Sequence, residues 1–154
     1  MMQLGLIGLG KMGGNMAERL RLGGHQVVGF DFNAEAVSRL TSSGNVGVSS
    51  LADLAKALDG RKAIWIMVPQ GDPVDQTIAQ LVPFLNPGDI LIDGGNSNYK
   101  DSQRRYKEVK AKGLQFVDVG TSGGVWGLKE GYSMMVGGDD DPVEYLRPIF
   151  ETLA

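Results

Sequence analysis

Near its start the chain carries Gly8-Leu9-Gly10-Lys11-Met12-Gly13, with glycine at the first, third and sixth positions of the run. Glycines spaced this way let a backbone turn tightly, approach a ligand without a Cβ in the way, and pack a helix close to a strand. The free N–H groups at a helix start, with the helix dipole behind them, hold anions. The implied chemistry is the holding of a pyrophosphate by backbone alone. Gly8 is expected to make the turn, Gly10 to admit the pyrophosphate, and Gly13 to let helix meet strand. Leu9, Lys11 and Met12 complete the cradle. A dinucleotide also needs a carboxylate about 20 residues further on, at the end of the second strand. Asp31 stands there, closing Val27-Val28-Gly29-Phe30-Asp31. A carboxylate at that point accepts from the ribose hydroxyls of NAD and repels the 2′-phosphate of NADP. Phe32 and Asn33 follow, so no adjacent Arg clamps a 2′-phosphate, and NAD is expected in preference to NADP. The rival reading of the stretch is a glycine-rich turn with Asp31 as a helix cap.

Ligands of open α/β sheets sit outside the carboxyl ends of the strands, so the other loops at that edge matter. Met67-Val68-Pro69-Gln70-Gly71 is expected over the adenosine half, with Val68 in contact with cofactor. In Asp93-Gly94-Gly95-Asn96-Ser97 the glycines allow close approach, and the Asn96 amide both donates and accepts. Asn96 is expected at cofactor and substrate; the alternative is a cap for the following helix, a role that suits Ser97 better. Gly120-Thr121-Ser122-Gly123-Gly124 exposes consecutive N–H groups and one hydroxyl, which suits a substrate anion or hydroxyl. Ser122, Gly123 and Gly124 are the candidates there, against the alternative of a surface loop.

Other polar residues are set aside. His25, the single histidine, falls at the helix exit before the second strand, at the opposite end of the sheet from the ligands. Lys129 and Glu130 read as a solvated loop, and Asp139, Asp140 and Asp141 as charge at a helix start. No spacing suggests a metal site. Trp65 reads as core, whereas Trp126, among glycines, suits a cleft wall.

The elements that must position these residues alternate. Strands are expected at Leu4–Gly8, Gln26–Asp31, Ala63–Val68, Ile90–Asp93, Leu114–Val119 and Tyr132–Val136. Helices are expected at Lys11–Leu22, Ala34–Leu40 behind Asn33, Ser50 to about Leu58, Pro73–Leu85, Asn98–Lys112 and Pro142–Leu153. The strands are short and apolar on both faces, which predicts an α/β fold. The architecture is a Rossmann-type, doubly wound, mostly parallel sheet with helices on both faces.

The chain's 154 residues suit one domain, spanning 1–154. A net charge of −3 supplies no field for nucleic acid or an anionic membrane. The apolar runs fall far short of the ~20 residues that span a bilayer, and the N-terminus lacks the basic region of a signal peptide. With no cysteine, the chain is expected to be cytoplasmic.

Ile92-Asp93-Gly94-Gly95-Asn96-Ser97, together with Asp118-Val119-Gly120-Thr121-Ser122-Gly123-Gly124, resembles the 6-phosphogluconate dehydrogenases. The glycine run and Gly24–His25 also fit the wider β-hydroxyacid dehydrogenase group. The resemblance covers the whole chain, as that family's N-terminal coenzyme domain. It implies oxidative decarboxylation of 6-phosphogluconate to ribulose 5-phosphate, a step of the pentose phosphate pathway. It also implies Asn96 near nicotinamide and substrate, and Ser122, Gly123 and Gly124 on the substrate. NADP-using members place Asn-Arg-Thr after the second strand, and many follow Ser-Gly-Gly with two acidic residues. Asp31-Phe32-Asn33 and Val125-Trp126 here resemble the shorter, NAD-preferring branch. The family's catalytic lysine and glutamate, and its helical second domain, lie beyond the position of Ala154, so no catalytic residue is expected within the chain. The chain alone is expected to bind NAD weakly with little turnover, and the full-length enzyme to be a homo-oligomer. The alternatives are a dehydrogenase of the 3-hydroxyisobutyrate type and a non-catalytic NAD-binding module; no basic helix favours the latter.

Overall fold

Side chains alternate between the two faces of a strand, so a strand that is apolar on both faces needs cover on both sides. The computed structural model describes residues 2–154. Its strands are β1 (Gln3–Ile7), β2 (Gln26–Phe30), β3 (Val46–Gly47), β4 (Ala63–Ile66), β5 (Ile90–Asp93), β6 (Gln115–Ser122) and β7 (Ser133–Gly138). They form one sheet in the order β3-β2-β1-β4-β5-β6-β7. All neighbours pair parallel except β6 and β7. The expected doubly wound sheet is observed.

The helices are α1 (Lys11–Leu22), α2 (Ala34–Ser42), α3 (Leu51–Lys56), α4 (Asp72–Leu81), α5 (Tyr99–Ala111), α6 (Gly127–Glu130), α7 (Asp140–Tyr145) and α8 (Arg147–Leu153). Leu4, Leu6, Trp65, Ile92 and Val117 point to one face, where Met16 and Leu20 of α1 and Ile149 of α8 cover them. Ile7, Val28, Ile66, Leu91 and Phe116 point to the other, under Leu54 of α3, Ile78 of α4 and Val109 of α5. Two cores therefore sandwich the sheet. Among the described residues no helix is long and apolar enough to cross a membrane.

Several expected boundaries move, each for a local reason. Asn33 caps α2 and Ser50 caps α3, as their residue types require. The third strand, of two residues, has no sequence period to reveal it. The stretch Pro142–Leu153 is two helices, because Pro148 lacks the N–H that a continuous helix would need there. Pro83 likewise ends α4 at Leu81, and a tighter 3₁₀ turn, Val82–Phe84, follows. Asn98, not Ser97, caps α5: its side chain accepts the Lys100 N–H at 2.8 Å. Lys129 and Glu130 are exposed, but on the one-turn helix α6 and not a loop.

Trp65 lies wholly buried at the centre of the sheet. Its ring meets Phe150 edge-on at 6.0 Å, and its Nε1–H points at Met67 Sδ at 3.1 Å. We expect Trp65→Ala to cost about 3–5 kcal/mol, read from the urea midpoint of unfolding at unchanged slope.

His25 sits where β2 begins, beside the start of β1. Its Nδ1 accepts the Met2 N–H at 3.0 Å, which puts the ring proton on Nε2, 2.9 Å from Thr152 Oγ1. Burial holds its pKa below the ordinary imidazole value. Between that lowered value and about 6.5 the unfolded chain binds a proton that the folded chain refuses. Stability from this group is therefore complete above about 6.5 and is lost as pH falls through the folded pKa. His25→Gln should flatten that part of the stability–pH curve, measured by denaturant unfolding across the window.

Candidate functional site

The strand order reverses between β1 and β4, since the chain winds outward from β1 to β3 on one side and from β4 to β7 on the other. The crevice at such a switch point, outside the carboxyl strand ends, is where open sheets take ligands. The glycine run leaves β1 directly into it. Gly8 has φ +96°, and a Cβ there would fall 2.2 Å from the carbonyl oxygen of Met67, just past the end of β4. A Cβ at Gly13 would fall 2.0 Å from the Gly8 carbonyl oxygen. At Gly10, by contrast, a Cβ meets no described atom within 4 Å. Two glycines thus let α1 begin hard against β1, and the third leaves open space above it. Gly10 is the N-cap of α1, with no side-chain cap and no acidic residue in the first turn. The first N–H groups of α1 have no intrahelical partner.

Asp31 follows the last residue of β2 and reaches this loop. Its Oδ2 accepts the Leu9 N–H at 2.7 Å, and its Oδ1 accepts the Asn33 N–H at 2.8 Å. The carboxylate is thereby oriented at the rim of the glycine cradle. Leu9 contributes only backbone here, because its side chain is buried in the core. Beside Asp31 a cleft of about 420 Å³ is lined by Phe30, Phe32, Val37 and Val48. Its largely apolar walls suit a flat heterocycle.

On the other side of the crevice, Gly94 and Gly95 serve protein packing and not the approach of a ligand. A Cβ at Gly94 would meet Trp65 Nε1 at 2.1 Å, and one at Gly95 the Val68 carbonyl oxygen at 2.7 Å. The Val68 loop and the Asn96 loop therefore lie against each other. Asn96 adopts φ +56° and is the single non-glycine residue with positive φ among the described residues. Its Oδ1 accepts the Thr121 N–H at 3.1 Å, so it ties this loop to β6 and caps no helix. β6 runs three residues further than expected, through Ser122, because β7 folds back and pairs Gly120, Thr121 and Ser122 with Met135, Met134 and Ser133. Ser122 is thus the last residue of a strand and not part of a surface loop. Asn96 and Ser122 line one cleft of about 520 Å³, with Thr121, Ser133, Met134 and Met135. Gly123 backs onto the Tyr132 ring, where a Cβ would come within 2.7 Å, whereas Gly124 stands open at φ +50°. Trp126, just beyond, is 69% exposed.

Sequence reasoning missed the buried charge beneath these loops. Arg105 of α5 is 1% exposed and bonds to Asp93, Ser97, Asp75 and the Gly71 carbonyl. Its signal was positional: with Ser102 and Val109 it falls at the three- and four-residue spacing of the helix's inner face. Arg105 and Arg104 hold the Asp75 carboxyl below the usual range, Arg105 more strongly. Asp118, paired in register beside Asp93, is pushed upward by burial first and then by the Asp93 charge.

Residues 3–154 match the family described as the NAD binding domain of 6-phosphogluconate dehydrogenase. The chain belongs to that family. Among curated relatives it is 44% identical over 153 residues to the NAD(+)-dependent, decarboxylating 6-phosphogluconate dehydrogenase of Haloferax volcanii, covering 99% of this chain and 50% of that protein. Among solved structures it superposes on 3-hydroxyisobutyrate dehydrogenase of Mycobacterium tuberculosis with TM-score 0.91 at 28% identity, covering 100% of this chain and 53% of that one. On Plasmodium falciparum 6-phosphogluconate dehydrogenase the TM-score is 0.90 at 28% identity, over 99% of this chain and 34% of that one. The chain spans about half the length, or less, of the curated relatives it matches. As in other members of this oxidoreductase family, the fold is Rossmann-like.

Because Gly13 meets backbone and Gly10 meets open space, the two should respond oppositely to a methyl group. Gly13→Ala is expected to lose about 1–3 kcal/mol, and Gly10→Ala to stay within about 0.5 kcal/mol of the parent, both read by denaturant titration.

Proposed function

We propose that this chain binds NAD across the β1/β4 crevice and forms the cofactor half of a decarboxylating 6-phosphogluconate dehydrogenase. One observation carries the reading. A backbone anion cradle with the Asp31 carboxylate at its rim, and a cleft that brings together Asn96 and Ser122, open on the same edge of one sheet. The residues fit the cofactor: α1 starts uncapped, and the space above Gly10 is open. Gly8, Leu9, Gly10, Lys11, Met12 and Gly13 would hold the pyrophosphate, Asp31 the ribose and Val68 the adenosine half, with Asn96 toward the nicotinamide. NAD when bound supplies a hydride acceptor.

Asn96, Ser122, Gly123 and Gly124 would orient the sugar acid so that its hydroxyl carbon faces the nicotinamide. Loss of hydride from that carbon, with the hydroxyl proton passing to a base, leaves a β-keto acid. That β-keto carboxylate releases CO₂ and leaves an enediolate, and a proton taken up at the carbon that lost CO₂ gives the ketose, ribulose 5-phosphate. Among the described residues, those lining the Asn96–Ser122 cleft carry no titratable side chain. We assign the base and the acid to residues outside these 154, and turnover by the chain alone should be negligible. Homo-oligomerisation and a cytoplasmic location of the whole enzyme belong to the same proposal.

NAD is the preferred cofactor in this reading, because a carboxylate at Asp31 would repel a 2′-phosphate and the next residues, Phe32 and Asn33, supply no Arg to hold one. The likeness to 3-hydroxyisobutyrate dehydrogenase supports a second reading, a hydroxyacid without phosphate. A substrate screen of the whole enzyme with and without the phosphate group separates the two.

Calorimetric titration of the 154-residue chain with NAD and NADP tests the cofactor assignment. NAD should bind more tightly. Asp31→Ala should weaken NAD about tenfold, about 1.4 kcal/mol, and erase the preference. Gly10→Ala should abolish binding while leaving the fold intact. Binding of neither nucleotide at millimolar concentration, or a preference for NADP, overturns the assignment.

A further inference from the structure

The loops that carry Val68 and Asn96 meet on a single buried guanidinium. Arginine has five N–H donors in a rigid planar fork. In Arg105 all five are used. Nε donates to Asp75 Oδ1 at 2.8 Å. Nη1 donates to Asp93 Oδ2 at 3.2 Å and to Ser97 Oγ at 3.0 Å. Nη2 donates to the Gly71 carbonyl at 3.1 Å and to Asp75 Oδ2 at 3.3 Å. Gly71 ends the loop after β4, and Asp75 lies in the first turn of α4. Asp93 ends β5, and Ser97 belongs to the loop of Asn96. One side chain thus joins the two loops on the far side of the crevice.

The joint reaches Asn96 from both sides. Asp93 Oδ1 accepts the Gly95 N–H at 3.0 Å, and its Oδ2 accepts the Ser97 hydroxyl at 2.6 Å. Asn96 sits between those neighbours in the left-handed region, which asparagine tolerates better than most residues with a Cβ. Its Oδ1 then meets the Thr121 N–H on β6. A buried ion pair adds little net stability beyond what apolar packing of the same volume gives. What this one supplies is placement.

We propose that Arg105 is a positioning residue: through Asp93 and Ser97 it holds the Asn96 side chain in place, and through Gly71 it keeps that side chain in register with the cofactor-side loop. The proposal rests on the reading of Asn96 as a contact of the nicotinamide end. Lysine cannot replace this arginine, because three donors on one nitrogen cannot span four acceptor groups lying in different directions.

The test uses the 154-residue chain with Arg105→Lys, Ser97→Ala and Asn96→Ala. Amide hydrogen exchange reports the loop directly. In Arg105→Lys the Gly95 and Thr121 amides should exchange roughly tenfold faster relative to the β1 and β4 amides, as expected when hydrogen bonds open locally. Ser97→Ala removes one strut only, and should speed the same two amides by a smaller factor even if Arg105→Lys fails to fold. NADH affinity supplies a double-mutant cycle. Arg105→Lys should weaken NADH in the parent and change nothing further once Asn96 is alanine. Uniform acceleration of all amides, no acceleration at Gly95 and Thr121, or equal weakening in both backgrounds overturns the positioning role. If the unmutated chain binds no nucleotide, the cofactor reading falls, and the exchange measurement alone still decides for or against Arg105.

Discussion

The approach of Gly13 to the Gly8 carbonyl is the constraint on which the rest of the edge depends. With no Cβ at either position, α1 starts directly where β1 stops and lies against the sheet. Its axis then carries the positive dipole end and the unpaired N–H groups to the crevice where the strand order reverses. A net charge of −3 leaves little general attraction for an anion, so the local dipole and amides must supply it. The same closeness brings Leu9 N–H onto Asp31, so the glycine turn and the end of β2 form one rigid rim.

Across the crevice the means are different. There the loops are held by desolvated charge, not by backbone closeness to a helix. Arg105 is almost fully buried between Asp75 and Asp93, and every donor it has is matched. Removing any partner would strand charge in a low-dielectric site, so the arrangement tolerates little drift. The glycines at positions 94 and 95 belong to this half, because they let Trp65, Met67 and the Val68 carbonyl press against the loop. The cofactor side and the Asn96 side are thereby set at a fixed separation by the central strands between them.

Much of this was legible in residue order. The glycine run, the strand before it, the amphipathic helix after it and Asp31 agree with one another, and the structure places them together. Caps at Asn33 and Ser50 act locally, so their residue types were sufficient. Elsewhere a competing partner decided the outcome: one four residues away for Ser97, and ones on other elements for Gly120–Ser122 and Arg105. Ser97 has the type of a helix cap, but the Asp93 carboxylate takes its hydroxyl. Gly120–Ser122 has the composition of a loop, but β7 returns to pair with it. Arg105 looks like one more surface charge of α5 until α4 and β5 close over it.

By itself, then, the sequence determined the alternation of elements, the doubly wound class, and the backbone cradle with its carboxylate. The elements follow from their periodicity, and the cradle with its carboxylate from a glycine spacing and a strand–helix–strand order that are read along the chain. The tertiary structure alone decided the meeting of Asn96 with Thr121, the burial of Arg105, the length of β6 and the cleft shared by Asn96 and Ser122. Each of these joins segments that only the folded sheet brings side by side. A side chain's type does not reveal which distant donor or acceptor will satisfy it once water is excluded.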